Sequence, residues 1–365
     1  MQGPRIPAEK ELSHVLDFLN KTLRNGSNWS ISAEYPTALT SSNLHNIRII
    51  TENEQIVSHA VLKPLIIKSP YLIYKVGAIG SVVTDESHRS QGLSTQILNN
   101  CIEEAKNQSC DIAILWTSLF DFYRKLGFEL AGTEISLVID ENTKLPETPE
   151  LRYSSDPRVS PEALYRLYSQ HSVNTVRSID EMKKFLAIPN TKVYTAWEPN
   201  GQLAAFAIEG KGADLTGYLH EWGGGVSKLL GLFNFIRKTQ PNHSFTVITP
   251  RHAQNLITQL QTAGALYNEG FLGMIKILNF DQLATKIKRA FRAEGVADIV
   301  LERTPAGILF GIGTELFTLS DQSDIIRFIF GPVDIHALDM FSETAKLKLA
   351  KILPLPLWVW GWDSI

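Results

Sequence analysis

Apolar positions recur at Leu12, Val15, Leu16, Leu19 and Leu23, the three-and-four spacing of one helical face, and Asn25–Gly26 can stop such a helix. The spacing predicts an amphipathic helix over 8–23 that covers one face of a sheet. The period then shortens to that of strands, over 45–51 and 55–67 about a Glu52–Asn53–Glu54 turn, and over 71–84. An apolar run, Ile79 to Val83, meets the polar turn Asp85–Gln91, and Gly92 opens a helix carrying Leu93, Ile97 and Leu98. A strand at 112–116, a short helix and a final strand over 128–139 complete a first unit, 1–143. Residues 144–157 carry three prolines and little apolar content, and are expected to form a linker.

The same order recurs over 158–279. Helices are predicted at 161–169 and 179–187, strands at 192–197, 203–209 and 214–222, a helix at 226–238, a strand at 244–248, a helix at 253–263 and a strand near 271–278. From Phe280 the pattern changes to a helix with Leu283, Ile287, Ala290 and Phe291, strands at 297–302 and 307–312, and helical segments after 320. This last unit, 280–365, is under 90 residues, marginal alone, and should pack on the rest. It ends in LPLPLWVWGWDSI, with Trp358, Trp360 and Trp362 within five residues, so the end is expected to be buried. The fold class is α/β of the α+β kind, mostly antiparallel sheet flanked by helices. A length of 365 residues suits two or three domains at about 100 to 200 residues each.

Composition narrows the function. Hydrophobic content of 44% with 20% charged residues is a soluble globular balance. A net charge of −3 with no Lys/Arg run offers no field for nucleic acid. The opening MQGPRIPAEKELSHVL has charge and proline where a secretion signal needs an unbroken apolar core, and no stretch reaches 18 apolar residues, so a cytoplasmic protein with no membrane partner is expected. Cys101 and Cys110, eight residues apart with no His cluster nearby, fit neither zinc nor a disulfide framework, and no metal is expected.

The candidate chemistry lies in Arg89-Ser90-Gln91-Gly92-Leu93-Ser94. A glycine at a helix start lets several backbone N–H groups converge while Arg89 adds full positive charge, which is how a turn receives phosphate. No Gly-Lys-Ser/Thr follows and a lone Gly92 cannot make G-x-G-x-x-G, so neither common nucleotide loop applies. Some residues on, DIAILWTSLFDFYRKLGF supplies a strand, a short helix and a Tyr123-x-x-x-Gly127-Phe128 ending.

These two blocks resemble the GNAT (GCN5-related) N-acetyltransferase superfamily, whose Arg/Gln-x-x-Gly-x-Gly/Ala turn holds the pyrophosphate of acetyl-coenzyme A. Arg89 and Gly92 match; Ser94 departs from the final Gly/Ala. The second unit has Trp222-Gly223-Gly224-Gly225-Val226 instead and lacks the Tyr-x-x-x-Gly-Phe ending, so it reads as a degenerate lobe without coenzyme. Two GNAT-like lobes and a sterol-carrier-like tail resemble the enhanced intracellular survival (Eis) branch. That resemblance implies an N-acetyltransferase with acetyl-CoA as cosubstrate, an amine acceptor (aminoglycoside-like, polyamine, small metabolite or protein lysine) and a homo-oligomer.

The resemblance also implies roles. Val82, Val83 and Thr84 would offer backbone groups to the pantetheine arm and the thioester oxygen, Arg89, Ser90, Gln91, Gly92, Leu93, Ser94 and Thr95 would hold the pyrophosphate, and Ser118 would make a second coenzyme contact. Tyr123 would be the general acid, since a phenol near pKa 10 is protonated at pH 7. No His or Glu stands at an obvious spacing for a base: His88 reads as a hydrogen-bonded loop residue and Glu129 enters a strand. The resemblance assigns the base to the carboxylate at Ile365. Glu34, Asp85, Glu86 and Asp121 lie in loops that could face a cationic amine or be solvated charges. The competing class is a non-catalytic acyl-CoA or apolar-ligand sensor, favoured by the Trp-rich end.

Overall fold

The computed structural model describes residues 1–156, 158–241 and 243–365. The first unit runs β1 (Gln2–Arg5), α1 (Leu12–Leu23), α2 (Ile31–Glu34), β2 (Ile47–Glu52), β3 (Gln55–Lys68), β4 (Ile73–Thr84), α3 (Leu93–Asn107), β5 (Ile112–Leu115), α4 (Phe120–Arg124), β6 (Glu129–Ala131) and β7 (Glu134–Ile139). The second runs β8 (Arg152–Ser154), α5 (Pro161–Tyr168), β9 (Asn174–Thr175), α6 (Ile179–Leu186), β10 (Lys192–Trp197), β11 (Leu203–Lys211), β12 (Asp214–Gly224), α7 (Val226–Thr239), β13 (Phe245–Pro250), α8 (Gln254–Thr262), β14 (Leu266–Gly270) and β15 (Gly273–Ile277). The tail holds α9 (Phe280–Ala293), β16 (Ile299–Thr304), β17 (Gly307–Ile312), β18 (Glu315–Leu319), α10 (Gln322–Phe330) and α11 (Glu343–Leu349). This is a mixed α/β fold with mostly antiparallel sheets flanked by helices. Among the described residues no helix is long and apolar enough to cross a membrane.

The two large sheets do not follow the linear boundaries read from the sequence. The first has the order β1-β2-β3-β4-β5-β15-β6, with β9 added to the end of β3; the second has the order β14-β7-β13-β12-β11-β10-β8. Each unit therefore gives its last strand to the other. β15 sits between β5 and β6, antiparallel to both, while β7 sits between β13 and β14, again antiparallel to both.

The single strand expected over 128–139 is in fact two strands in two sheets, and the break has a physical cause. Gly132 adopts φ +71°, a left-handed conformation that glycine takes without Cβ strain, and a Cβ there would lie 2.7 Å from Leu272. Leu272 belongs to the return crossing, so the two connectors run side by side. Trp116, just past β5, holds the return crossing by donating its Nε1–H to the Leu272 carbonyl at 2.8 Å.

The expected linker is also corrected. Arg152–Ser154 pairs with β10 as an edge strand, Leu145 and Leu151 are buried, and Thr148 and Tyr153 press on Gly231 of α7. Pro157, the last residue of that segment, lies outside the described residues. Cys101 and Cys110 are buried free thiols, and burial pushes them up to about 12 and about 11, so both are inert packing residues. Gly132→Ala is expected to cost about 2 kcal/mol or more, from a left-handed non-glycine residue and the crowded crossing. A denaturant melt compared with Gly201→Ala, a turn position where nothing lies near the new Cβ, would check it.

Candidate active site

Strand β4 carries the site because its sequence bends it. Pairing with β3 runs evenly from Ile73 to Gly80 and then slips, so that Val61 faces Gly80 while His59 faces Val83. Two residues, Ser81 and Val82, thus bulge opposite Ala60, with Ser81 at φ +48°. His59 sustains the bulge. Burial holds its imidazole down at about 4, so the ring is neutral, and Nδ1–H donates to the Ser81 carbonyl at 2.8 Å.

On its other edge β4 pairs in parallel with β5 only over Val76, Gly77 and Ala78. Beyond Ala78 the strands part, and among the described residues the backbone amides and carbonyls of β4 on that side have no strand partner. An extended ligand can take their place. Val82 packs on the face that holds Leu93, Ile97 and Tyr123, and Val83 on the opposite face with α1.

The groove leads to the start of α3. Gly92 caps this 15-residue helix at φ +76° with no side-chain cap, and Ser90 is also left-handed at φ +64°. The first helical N–H groups, at Leu93, Ser94 and Thr95, are left without intrahelical acceptors and collect the positive end of the helix dipole. A Cβ on Gly92 would meet nothing within 4 Å, so the space over the turn is open. Arg89 stands exposed beside it, paired loosely with Glu86 at 3.3 Å. Ser94 has a structural use: its Oγ bonds Thr84 Oγ1 at 2.8 Å, and Thr84 bonds Ser58 Oγ at 2.9 Å, a hydroxyl chain tying α3 to β4 and β3.

Tyr123 lies on α4, buried edge-on against Phe122 and Phe128 with ring centroids 5.0 and 6.0 Å away. Burial pushes its phenol up to about 12, so it holds its proton throughout the working pH range. Ser118 is exposed in the turn between β5 and α4.

The Ile365 end comes to the same strand from across the molecule. A Cβ on Gly80 would lie 2.5 Å from the Ile365 carboxyl carbon, so only glycine seats the chain end against β4, next to the bulge. The tryptophans upstream hold it: Trp358, Trp360 and Trp362 are 1%, 0% and 2% exposed. Trp360 donates Nε1–H to the Val173 carbonyl at 3.1 Å, and Trp362 stacks on Phe185. The apolar surface that favoured an apolar-ligand sensor is therefore consumed internally.

The other carboxylates named from the sequence have local partners. Glu34 is fully buried, accepting from Arg24 Nε at 2.6 Å, Trp29 Nε1 at 2.5 Å and the Ala213 N–H at 3.1 Å. Asp85 is held below its usual range by Ser87 and His88, whose other nitrogen meets Glu52 at 2.9 Å. Asp121 is an exposed partner of Arg124, and Glu129 is buried under Arg124 and Arg327. Glu86 is exposed beside Arg89.

Residues missed in the sequence are Gly80, His59 and a buried set beneath the chain end: Arg177, Lys211, Glu221 and Asp363. A charge inside an apolar strand run, as at Lys211 and Glu221, was the available signal. In the second sheet β12 and β13 pair in parallel only at Tyr218 and Leu219, and the gap beyond is bridged by Trp222, whose Nε1–H donates to the Ile248 carbonyl at 3.1 Å. A Cβ on Gly223 would lie 2.6 Å from the Phe206 ring, so the triple glycine is a close-packed turn and a tryptophan fills the equivalent groove.

Residues 5–131 match the family model described as the Acetyltransferase (GNAT) domain. Among solved structures the chain is similar to a conserved protein of unknown function from Enterococcus faecalis V583, called a probable N-acyltransferase, at 14% identity and TM-score 0.65, covering 97% of this chain and 96% of that one. It is similar to a GCN5-related N-acetyltransferase from Anabaena variabilis at 14% identity and TM-score 0.67, covering 94% and 95%. Eis1 from Mycobacterium abscessus aligns at 12% identity and TM-score 0.55, covering 86% and 84%. At such identities the likeness is one of fold. No curated protein matches the chain.

Two substitutions probe the groove. Arg89→Ala with Gly92→Asp should weaken binding of acetyl-CoA by about ten- to a hundredfold in calorimetry, the loss of a charge-assisted contact worth about 1.5 to 3 kcal/mol. Gly80→Ala should leave that binding intact while displacing the Ile365 carboxyl, visible as mobility of 361–365 in hydrogen exchange.

Proposed function

We propose that this chain, which carries a GNAT acetyltransferase domain over residues 5–131, transfers the acetyl group of acetyl-CoA to an amine, with the Ile365 carboxylate as base and Tyr123 as acid. GNAT domains use acetyl-CoA, and the residues present fit it: an open strand edge past Ala78, an uncapped helix start at Leu93–Thr95 and Arg89 beside it. When bound, the cosubstrate supplies an activated acetyl carbon and a thiolate leaving group. The observation that carries the reading is the carboxyl end of the chain seated at Gly80, on the strand that opens into this groove.

Each residue then has one task. Val82 presents its backbone N–H past the bulge, where charge develops on the acetyl oxygen, while Val83 stays paired with His59 on the β3 side. Ile365 accepts a proton from the attacking amine, directly or through one water; a terminal carboxylate is ordinarily a weak base near pKa 3.5. As the C–N bond forms and the C–S bond breaks, Tyr123 gives its proton to the departing sulfur and is reprotonated from solvent.

This reading extends to an Eis-like arrangement, with the second lobe lacking coenzyme, the tail sterol-carrier-like in fold, a cytoplasmic setting and self-association into a symmetric oligomer. The acceptor is an amine attracted by the Ile365 carboxylate.

Tyr123→Phe should lower kcat about 10²- to 10⁴-fold with coenzyme affinity nearly unchanged. Thiolate release from acetyl-CoA over a panel of aminoglycosides, polyamines and lysine peptides is the direct test. Release with none of them, by a protein that binds acetyl-CoA, would favour a sensor instead.

A further inference from the structure

The second lobe has no coenzyme turn, yet it places a charged set beneath the chain end. Arg177 is 4% exposed and donates to both Asp363 and Glu221, at 2.7 Å each from Nη2. Glu221 also accepts the Trp362 backbone N–H at 3.0 Å. Lys211, at the end of β11, is 1% exposed. Its ammonium donates to the carbonyl of Gly361 at 3.0 Å, to that of Trp362 at 3.4 Å and, at closer range, to that of Ser364, and it lies 4.8 Å from the centroid of the Tyr35 ring in the first lobe. Two cations and two carboxylates thus form a balanced buried set.

Burying a lysine is costly unless its donors are filled, and a short turn leaves carbonyls short of donor partners. Here each need answers the other: the carbonyls of Gly361, Trp362 and Ser364 converge on one point, and Lys211 is the group at that point. Ser364 is the residue before Ile365. Arg177 fixes Asp363 laterally, and a Cβ on Gly361 would collide with His220, so the turn has little room to shift.

We propose that Lys211 is a positioning residue for acetyl transfer: it holds the 361–364 turn so that the Ile365 carboxylate stands against Gly80, and supplying this hold is the second lobe's part in the reaction. The proposal rests on the reading of Ile365 as base. Desolvation holds the Lys211 ammonium down at about 8, and a neutral amine would still donate two hydrogen bonds.

The test uses the full chain in four forms: wild type, Lys211→Met, an extension of Gly-Ser after Ile365, and both together. Lys211→Met should lower kcat about 100-fold, the effect of misplacing a catalytic group by about 1 Å, with acetyl-CoA affinity unchanged. Carboxypeptidase should release Ile365 from it at least ten times faster than from wild type. In the extended protein, already without a placed carboxylate, Lys211→Met should cost nothing further, because both changes act through the same group. Unchanged kcat in Lys211→Met beside an inactive extended protein sinks the proposal alone, as do losses that multiply in full. A fully active extended protein removes Ile365 as base and the proposal with it. If Lys211→Met loses coenzyme affinity, Lys211→Gln, which keeps a donor on a shorter stem, is read by the same criteria; loss of affinity in both makes Lys211 a folding residue and overturns the proposal.

Discussion

One guanidinium, buried between two carboxylates, is the constraint on which the candidate site rests. Arg177 joins Glu221 of a central strand to Asp363 near the chain end, and none of the three is solvated. Such a set is poor evidence for added stability, since its desolvation cost is close to its Coulomb gain, but it tolerates few alternative geometries. The stacked tryptophans around it supply area without direction. The ions supply direction, and the result is a carboxyl group delivered from a distant part of the sequence to the bulge of β4.

The first half of the site was legible because it is local. Arg89, Gly92 and Tyr123 lie in short motifs whose spacing reflects a turn, a helix start and a strand exit, and each stands on its expected element. Ser94, the one departure from the motif, is explained by a contact that spacing cannot show, its bond to Thr84. The second half was opaque because it is not local. Gly80 is one more small residue in an apolar run until Ile365 is seen beside it, and His59 is one more strand residue until its proton is traced to Ser81. Loop position likewise misleads for Glu34, which is sealed under Arg24 and Trp29 rather than open to an acceptor.

The element list was legible as well, within a residue or two over most of its length, including the recurrence of one order in two halves. The sheet assignment was not. A strand of alternating pattern carries no label for which sheet it completes, and the left-handed turn at Gly132 looks in sequence like any glycine between apolar runs. Reading 128–139 as one strand was the natural reading of a continuous pattern; the crossing beside Leu272 divides it.

The strand exchange bears on how material gets in. Because β15 is hydrogen-bonded on both edges within the first sheet, and β7 within the second, the halves cannot swing apart about a hinge without unzipping four ladders. Clamshell opening, a frequent way for two-lobed enzymes to admit a large substrate, is therefore closed to this architecture. A ligand then enters a groove already formed, and selection rests on what that groove fits.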